Sequence, residues 1–464
     1  MNLPILQPKK NKTITPARTL ALGFIIIILI GAVLLFMPFS SSNGSFTDFV
    51  DCLFTAASAT CVTGISVVET YTHWSIIGQV VILLLIQVGG LGFVTLVTFF
   101  NFAIGKKIGL LKANSISGDF SMSGLSATKK LFTRIVAVSL SVETAGACLL
   151  MVRFIPDYGG YGVFMAFFTA VSAFCNAGFD LFGIDGEGMG LSGFIDDPYV
   201  LMIIALLIIL GGLGFVVWEE LLSYRKEKHF SLHTRIVLIS TGVLLVLGML
   251  IYLTTALTVP SIFGEYSFGQ KLYTSFFASA SARTGGFTAA PYPLANSFSQ
   301  LFTILLMFIG AAPGSTGGGI KITAAAILIS TAWSVLRGRE DTQMLGHVVT
   351  KQVVYKTLTV LFLSLAFLVT GFFVIHLLNI DTNPLDVLFE VVSAFSTTGY
   401  SAGVSACSGP ATKILLSFIM YVGRIGPVSY FYLSKICPFL CPFVKCSKFI
   451  IAFFRFKINR FREM

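Results

Sequence analysis

Charge is what this sequence holds least of. Acidic and basic residues make up 11% of its 464 positions, against about a quarter in a soluble globular domain. Hydrophobic residues make up 55%, and the mean hydropathy is +0.88. A water-soluble fold is excluded, and an integral membrane protein with many spans is specified. Histidine is scarce as well, and the five residues (73, 229, 233, 347, 376) are scattered. Neither a Ser/His/Asp set nor a metal-ligand cluster is visible, so an enzyme is not expected. The eight cysteines form no disulfide framework, and Cys437, Cys441 and Cys446 match no zinc spacing. No small-x-small cleavage site follows the first apolar run, residues 20–37; Met37-Pro38-Phe39 follows instead. That run is expected to be a retained helix.

The charges that are present are sorted. Lys and Arg concentrate at 9–18, 106–134, 225–235, 337–356 and 435–462. Acids such as Asp48, Asp51, Glu69, Asp180 and Asp386 occupy the other loops. Basic loops stay on the cytoplasmic side. Both termini are therefore expected inside a cell (plasma or inner) membrane, crossed many times. Topology explains the net charge of +10, which calls for no nucleic acid. An acidic outer face also raises local cation concentration, although solvated loop charge is the simpler reading.

What is abundant is glycine at a steady period. Gly64, Gly178, Gly286 and Gly399 are 114, 108 and 113 residues apart. Ten residues before each stands a phenylalanine: Phe54, Phe168, Phe276 and Phe389. A Ser-Ala or Ala-Ser pair stands six and five before it, and an apolar or aromatic residue follows it. One unit is used four times. Each unit reads as helix, short helix, loop, helix. The outer helices fall at about 20–38 and 75–101, 132–154 and 199–222, 235–257 and 299–336, and 357–378 and 411–434. At 1.5 Å per residue each is long enough to cross ~30 Å of hydrocarbon. The short helices, about 48–60, 161–174, 269–282 and 384–396, cannot cross and must return on the outer side. Non-helical backbone at membrane depth requires a protein-lined cavity.

The expected fold is therefore all-α. It has four M1–P-loop–M2 repeats, with eight transmembrane helices and four re-entrant pore helices in pseudo-fourfold arrangement. In chain order these are a cytoplasmic N-terminus 1–19, repeats 20–101, 132–222, 235–336 and 357–434, and a cytoplasmic basic tail 435–464. Asp48 and Asn383-Pro384 are start signals for the first and fourth short helices. The C-terminal ends then point inward, where their partial negative charge favours a cation.

The loops after the short helices are the candidate cation site. They read Cys61-Val62-Thr63-Gly64, Cys175-Asn176-Ala177-Gly178, Arg283-Thr284-Gly285-Gly286 and Ser396-Thr397-Thr398-Gly399. Converging backbone carbonyls there would replace a cation's hydration shell. The side chains differ between repeats, which backbone readout tolerates. Glycine reaches the required dihedrals and leaves the bore open.

Two features occur once each. Within 299–336 stands Gly310-Ala-Ala-Pro313-Gly314-Ser315-Thr316-Gly317-Gly318-Gly319-Ile-Lys321. It breaks a helix too long for one span, as a mobile plug below the filter would. It lacks Gly-Lys-Ser/Thr, so nucleotide binding there is rejected. Lys321 either serves this gate or anchors the helix that follows. Arg424 lies 13 residues into the last spanning helix, where a charge is costly and faces an aqueous interior. Glu143 is expected to make an interhelical contact, and Arg283 to hold carbonyls or acidic side chains at the outer mouth. Gln87-Val-Gly-Gly-Leu-Gly-Phe93 and Leu210-Gly-Gly-Leu-Gly-Phe215 are expected to pack helices closely.

These loops, on four such units over residues 20–434, resemble the Trk/Ktr/HKT superfamily of cation channels and transporters. The likeness is greatest to the membrane subunit of its Ktr type. Glycine rather than serine at all four filter positions implies potassium as the substrate, held at the filter carbonyls. The resemblance implies that 310–319 is an intramembrane gating loop and that Arg424 lies beside it in the pore, bonding its closed form. It implies a homodimer, one pore per protomer, and a separate KtrA-like cytosolic ring that binds nucleotides. No cofactor is expected on this chain. The implied function is a potassium-selective uptake channel or transporter, stimulated by sodium in some of the family. The alternative is a sodium- or proton-coupled cation symporter of the same superfamily. The basic, aromatic tail 435–464 departs from the family pattern.

Overall fold

The computed structural model describes residues 16–92, 125–184, 186 and 190–427. The expected helical stretches 93–101 and 428–434, and the tail 435–464, lie outside the described residues.

The first unit comprises α1 (Pro16–Phe36), α2 (Phe49–Cys61) and α3 (Ile76–Leu91). The second comprises α4 (Leu125–Cys175), α5 (Pro198–Gly212) and α6 (Phe215–Glu227). Gly159, at φ 58° and ψ −137°, divides α4 into a long limb and a short one. The third unit holds α7 (Leu232–Thr258), α8 (Phe268–Thr284), α9 (Ser297–Phe308) and α10 (Ile322–Leu336). The fourth holds α11 (Lys351–Leu378), α12 (Pro384–Ser396) and α13 (Pro410–Ile425). A small hairpin of β1 (Thr342–Met344) and β2 (His347–Val349) joins the last two units.

Helix starts follow capping chemistry. Asp48 accepts from the Val50 amide at 2.7 Å, and Asn383 from the Leu385 amide at 3.0 Å. Ser267 and Gln270 form a reciprocal capping box at α8. Each satisfies backbone donors that a helix start leaves free.

Each short helix packs between the second helix of its own unit and that of the preceding one. Thus α2 touches α3 and α13, α4 touches α5 and α3, α8 touches α9 and α5, and α12 touches α13 and α9. The cycle closes through α13 and α2. Phe54, Phe168, Phe277 and Phe389 are fully buried in one continuous core. In the third unit the buried ring is Phe277 and not Phe276, the phenylalanine ten residues before the glycine. Ser281 stands five positions before Gly286, whereas Ser58, Ser172 and Ser393 stand six before their glycines. The missing residue is the left-handed one that ends the other helices, so α8 runs on to Thr284.

Large apolar side chains such as Ile239, Val243 and Leu250 of α7, and Phe362 and Phe373 of α11, are exposed on the outside. In a chain this poor in charge they face lipid. Among the described residues three helical stretches, 133–175 (within α4), α7 and α11, are individually long and apolar enough to span a membrane. A fourth span counts if α5 and α6 are joined across their bend of 96°. The continuous helix expected over 199–222 is thereby corrected. Gly214, at φ 89° and ψ 148°, turns the chain there. Gly92 and Gly426 take nearly the same backbone angles at the ends of α3 and α13. Glycine at those angles cannot continue an α-helix, so each of these three helices ends at its glycine.

Candidate cation site

The four repeat glycines meet. All have positive φ: +89° at Gly64, +70° at Gly178, +73° at Gly286 and +105° at Gly399. A methyl group on Gly64 would lie 2.2 Å from the Ala177 carbonyl oxygen, and one on Gly178 would lie 2.9 Å from that of Gly285. On Gly286 it would lie 2.3 Å from the Thr398 oxygen, and on Gly399 2.3 Å from the Thr63 oxygen. Each glycine thus abuts the backbone of the next unit, and the fourth returns to the first. Glycine is required here both for its dihedrals and for its missing side chain.

The helix ends aim this ring. Val62, Asn176 and Thr397 adopt left-handed φ of 59°, 61° and 52° and cap their helices. Cys61, Cys175, Arg283 and Ser396, expected in the filter loops, are helical residues of the last turn, as is Thr284. Buried serines then brace the loops. Ser58 Oγ accepts from the Gly64 amide at 3.1 Å and Ser393 Oγ from the Gly399 amide at 3.2 Å. Ser172 Oγ donates to the Phe179 carbonyl at 2.6 Å and Ser281 Oγ to that of Phe287 at 2.7 Å. Sequence reasoning used these serines only to align the repeats. Glu390, missed altogether, is buried and accepts from the Ala402 amide at 2.8 Å, the Ser405 amide at 3.2 Å and the Ser401 hydroxyl. It shapes the loop after the fourth glycine.

A second set of glycines seats the second helices. A methyl on Gly89, Gly211 or Gly423 would lie 2.1, 1.8 or 1.9 Å from the carbonyl oxygens of Thr60, Phe174 and Phe395. Each of those carbonyls lies four residues before a ring glycine. Gly310, at the corresponding place in the third unit, faces the Gly318 oxygen at 2.1 Å instead. There the 310–319 segment occupies the space.

That segment packs against the residues just before two of the ring glycines. The Gly318 amide donates to Thr397 Oγ1 at 3.0 Å, and Thr316 Oγ1 to the Phe174 carbonyl at 3.3 Å. The α5–α6 bend holds it from the side. The Ala312 amide donates to the Gly212 carbonyl at 3.1 Å and the Phe215 amide to that of Gly314 at 3.0 Å. The groups freed by the bend are those the segment takes up. Lys321 Nζ donates to the Gly317 carbonyl at 2.6 Å. The Arg424 guanidinium donates to the carbonyls of Thr316 and of Gly89. Arg424 stands where the other units carry Gly90, Gly212 and Ala311, so only the fourth unit projects a cation there.

Other expected residues fall as follows. Glu143 accepts from Gln87 Nε2, 3.1 Å from each carboxylate oxygen, across α4 and α3. The Asn176 amide, oriented so that its nitrogen donates to the Ala173 and Ile208 carbonyls, accepts from Thr284 Oγ1 at 2.5 Å. Arg283 is buried, and its Nε has no hydrogen-bond partner among the described residues. Of the carbonyls or acidic side chains expected as its partners, no acidic one pairs with it among the described residues, and it lies inside α8. Asp180, just past the second glycine, has its carboxyl pushed up to about 7 by burial and, second, by the charge of Glu69.

Composition and fold together define a polytopic helical membrane protein. Its chain belongs to the TrkH family of cation transport proteins, whose profile matches residues 10–438. It is 36% identical over 419 residues to the Ktr system potassium uptake protein B of Bacillus subtilis, covering 90% of this chain and 92% of that one. It is 34% identical over 428 residues to the potassium/sodium uptake protein NtpJ of Enterococcus hirae, covering 91% and 94%. The fold is similar to the crystal structure of the potassium transporter TrkH from Vibrio parahaemolyticus, with a TM-score of 0.71 at 16% identity over 94% of this chain and 87% of that one.

Proposed function

We propose that this chain is a potassium-selective uptake channel or transporter of the cell membrane, with four M1–P-loop–M2 units around one pore. The closed cycle in which each ring glycine abuts the next unit's carbonyl carries the reading. Four inward carbonyl sets are the means by which a backbone filter replaces a hydration shell. The segment 310–319 is its gate, held shut by Arg424 and Lys321. Relatives named as potassium uptake proteins support the choice of ion. Designation of one as protein B of a Ktr system supports a second component, here a KtrA-like nucleotide-binding ring acting on a homodimer. The name potassium/sodium uptake protein for another favours one further reading, a sodium- or proton-coupled symporter with the same filter.

Rubidium and potassium uptake in a potassium-uptake-deficient strain tests the filter. Gly64→Ser puts a side chain 2.2 Å from the Ala177 oxygen, so potassium-over-sodium discrimination falls by about tenfold, equal to ~1.4 kcal/mol. Unchanged uptake with unchanged sodium exclusion refutes the assignment.

A further inference from the structure

Peptide chain crosses three of the four seams between successive units; it does not cross the seam from the fourth unit back to the first. At every seam a polar contact joins the outer end of one second helix, or the loop leading into it, to the next short helix. Tyr161 Oη donates to Gln79 Oε1 at 3.0 Å. Tyr273 Oη donates to the Ile195 carbonyl, and Gln270 Nε2 to Asp196. Gln300 Nε2 donates to Asp386 Oδ1 at 2.7 Å. Of these contacts among the described residues, only that at the open seam is an ion pair, Lys413 Nζ to Asp51 Oδ1 at 2.5 Å.

We propose that the Lys413–Asp51 pair is the latch that holds this seam in register and thereby sets ion discrimination. The inference rests on the functional reading above. Asp51 sits in the first turn of α2, and the other end of that rigid helix carries Val62, Thr63 and Gly64. The Thr63 carbonyl is what Gly399 abuts across the same seam. α13 grips the first unit along its whole length. Lys413 holds α2 at the outer end, Tyr421 Oη donates to the Ala21 carbonyl at 3.1 Å, and Arg424 reaches the Gly89 carbonyl at the inner end. Eleven residues from Lys413 to Arg424 span roughly 16 Å of helix. The Lys413 and Asp51 side chains are only 15% and 20% exposed, so water screens them less than a surface pair. A carbonyl ring discriminates through the number and spacing of its dipoles, and slippage at one seam changes both. Lys413 and Asp51 act through Thr63 and Gly399 and are positioning residues.

The test measures rubidium uptake and its inhibition by sodium for wild type, Lys413→Gln, Asp51→Asn and the exchanged pair Lys413→Asp/Asp51→Lys. Each single variant is expected to lose discrimination about fivefold, and the exchanged pair to regain it. A merely structural role would change the amount of protein without changing the ion ratio. Wild-type discrimination in both single variants, or lost discrimination in the exchanged pair, overturns the latch. If a single variant fails to accumulate, the exchanged pair decides alone by the same ratio. Wild-type protein that moves no potassium or rubidium overturns the functional reading, and the latch with it.

Discussion

At Gly423 the second helix of the fourth unit rides on the carbonyl end of its own short helix. A methyl there would stand 1.9 Å from the Phe395 oxygen, a backbone atom fixed by its helix. Gly423→Ala is expected to cost about 3 kcal/mol or more, at the upper end for overpacking. The check is the melting midpoint of detergent-solubilised protein. Gly242→Ala is the control. Gly242 lies within α7 with nothing within 4 Å of its methyl position. Alanine there should be neutral or stabilising by up to ~1 kcal/mol. Two glycines of identical helical setting thus differ in sign because of what stands opposite.

Among elements, the second helices matter most. Gly92, Gly214 and Gly426 repeat one backbone geometry where their helices end, while the third unit has irregular backbone from 309 to 321 between its two helices. That loop is held by backbone bonds to Gly212 and Phe215, by Thr397, and by two cations. A barrier so placed predicts that deleting residues 312–318 raises basal rubidium flux by about tenfold, read in cells lacking any regulatory partner. Unchanged or reduced flux would show that the segment does not close the pore. The proposed gate is legible in sequence as Gly-Pro-Gly-rich text. Its docking onto the α5–α6 bend is not, because Leu210-Gly-Gly-Leu-Gly-Phe215 reads as a packing motif until the opposing segment is in place.

Over the whole molecule, the ring is fourfold in connectivity but unequal in fit. The clearance at Gly178 is 2.9 Å, against 2.2 to 2.3 Å at the other three glycines. Serine at Gly178 is therefore expected to impair discrimination least, and serine at Gly64, Gly286 and Gly399 more. The ratio of rubidium to sodium uptake across the four variants measures this order. Equal losses at all four would show that clearance does not govern the filter. The inequality has a cause in chain length, since the third segment is one residue shorter between its helix serine and its glycine.

The sequence alone determined the membrane class, the four glycine-ended segments, the broken helix and the lone Arg424. Those are properties of composition and of spacing along the chain, and local rules of charge, capping and helix breaking read them directly. Tertiary structure decided the rest. It set Phe277 rather than Phe276 into the core, kept Arg283 inside α8, bent the second unit's long helix, and paired Glu143 with Gln87. It also set Lys413 against Asp51, which lie 362 positions apart. Such contacts depend on which backbones lie face to face, and a one-residue deletion or a seam without a peptide bond has no local signature until the units are packed.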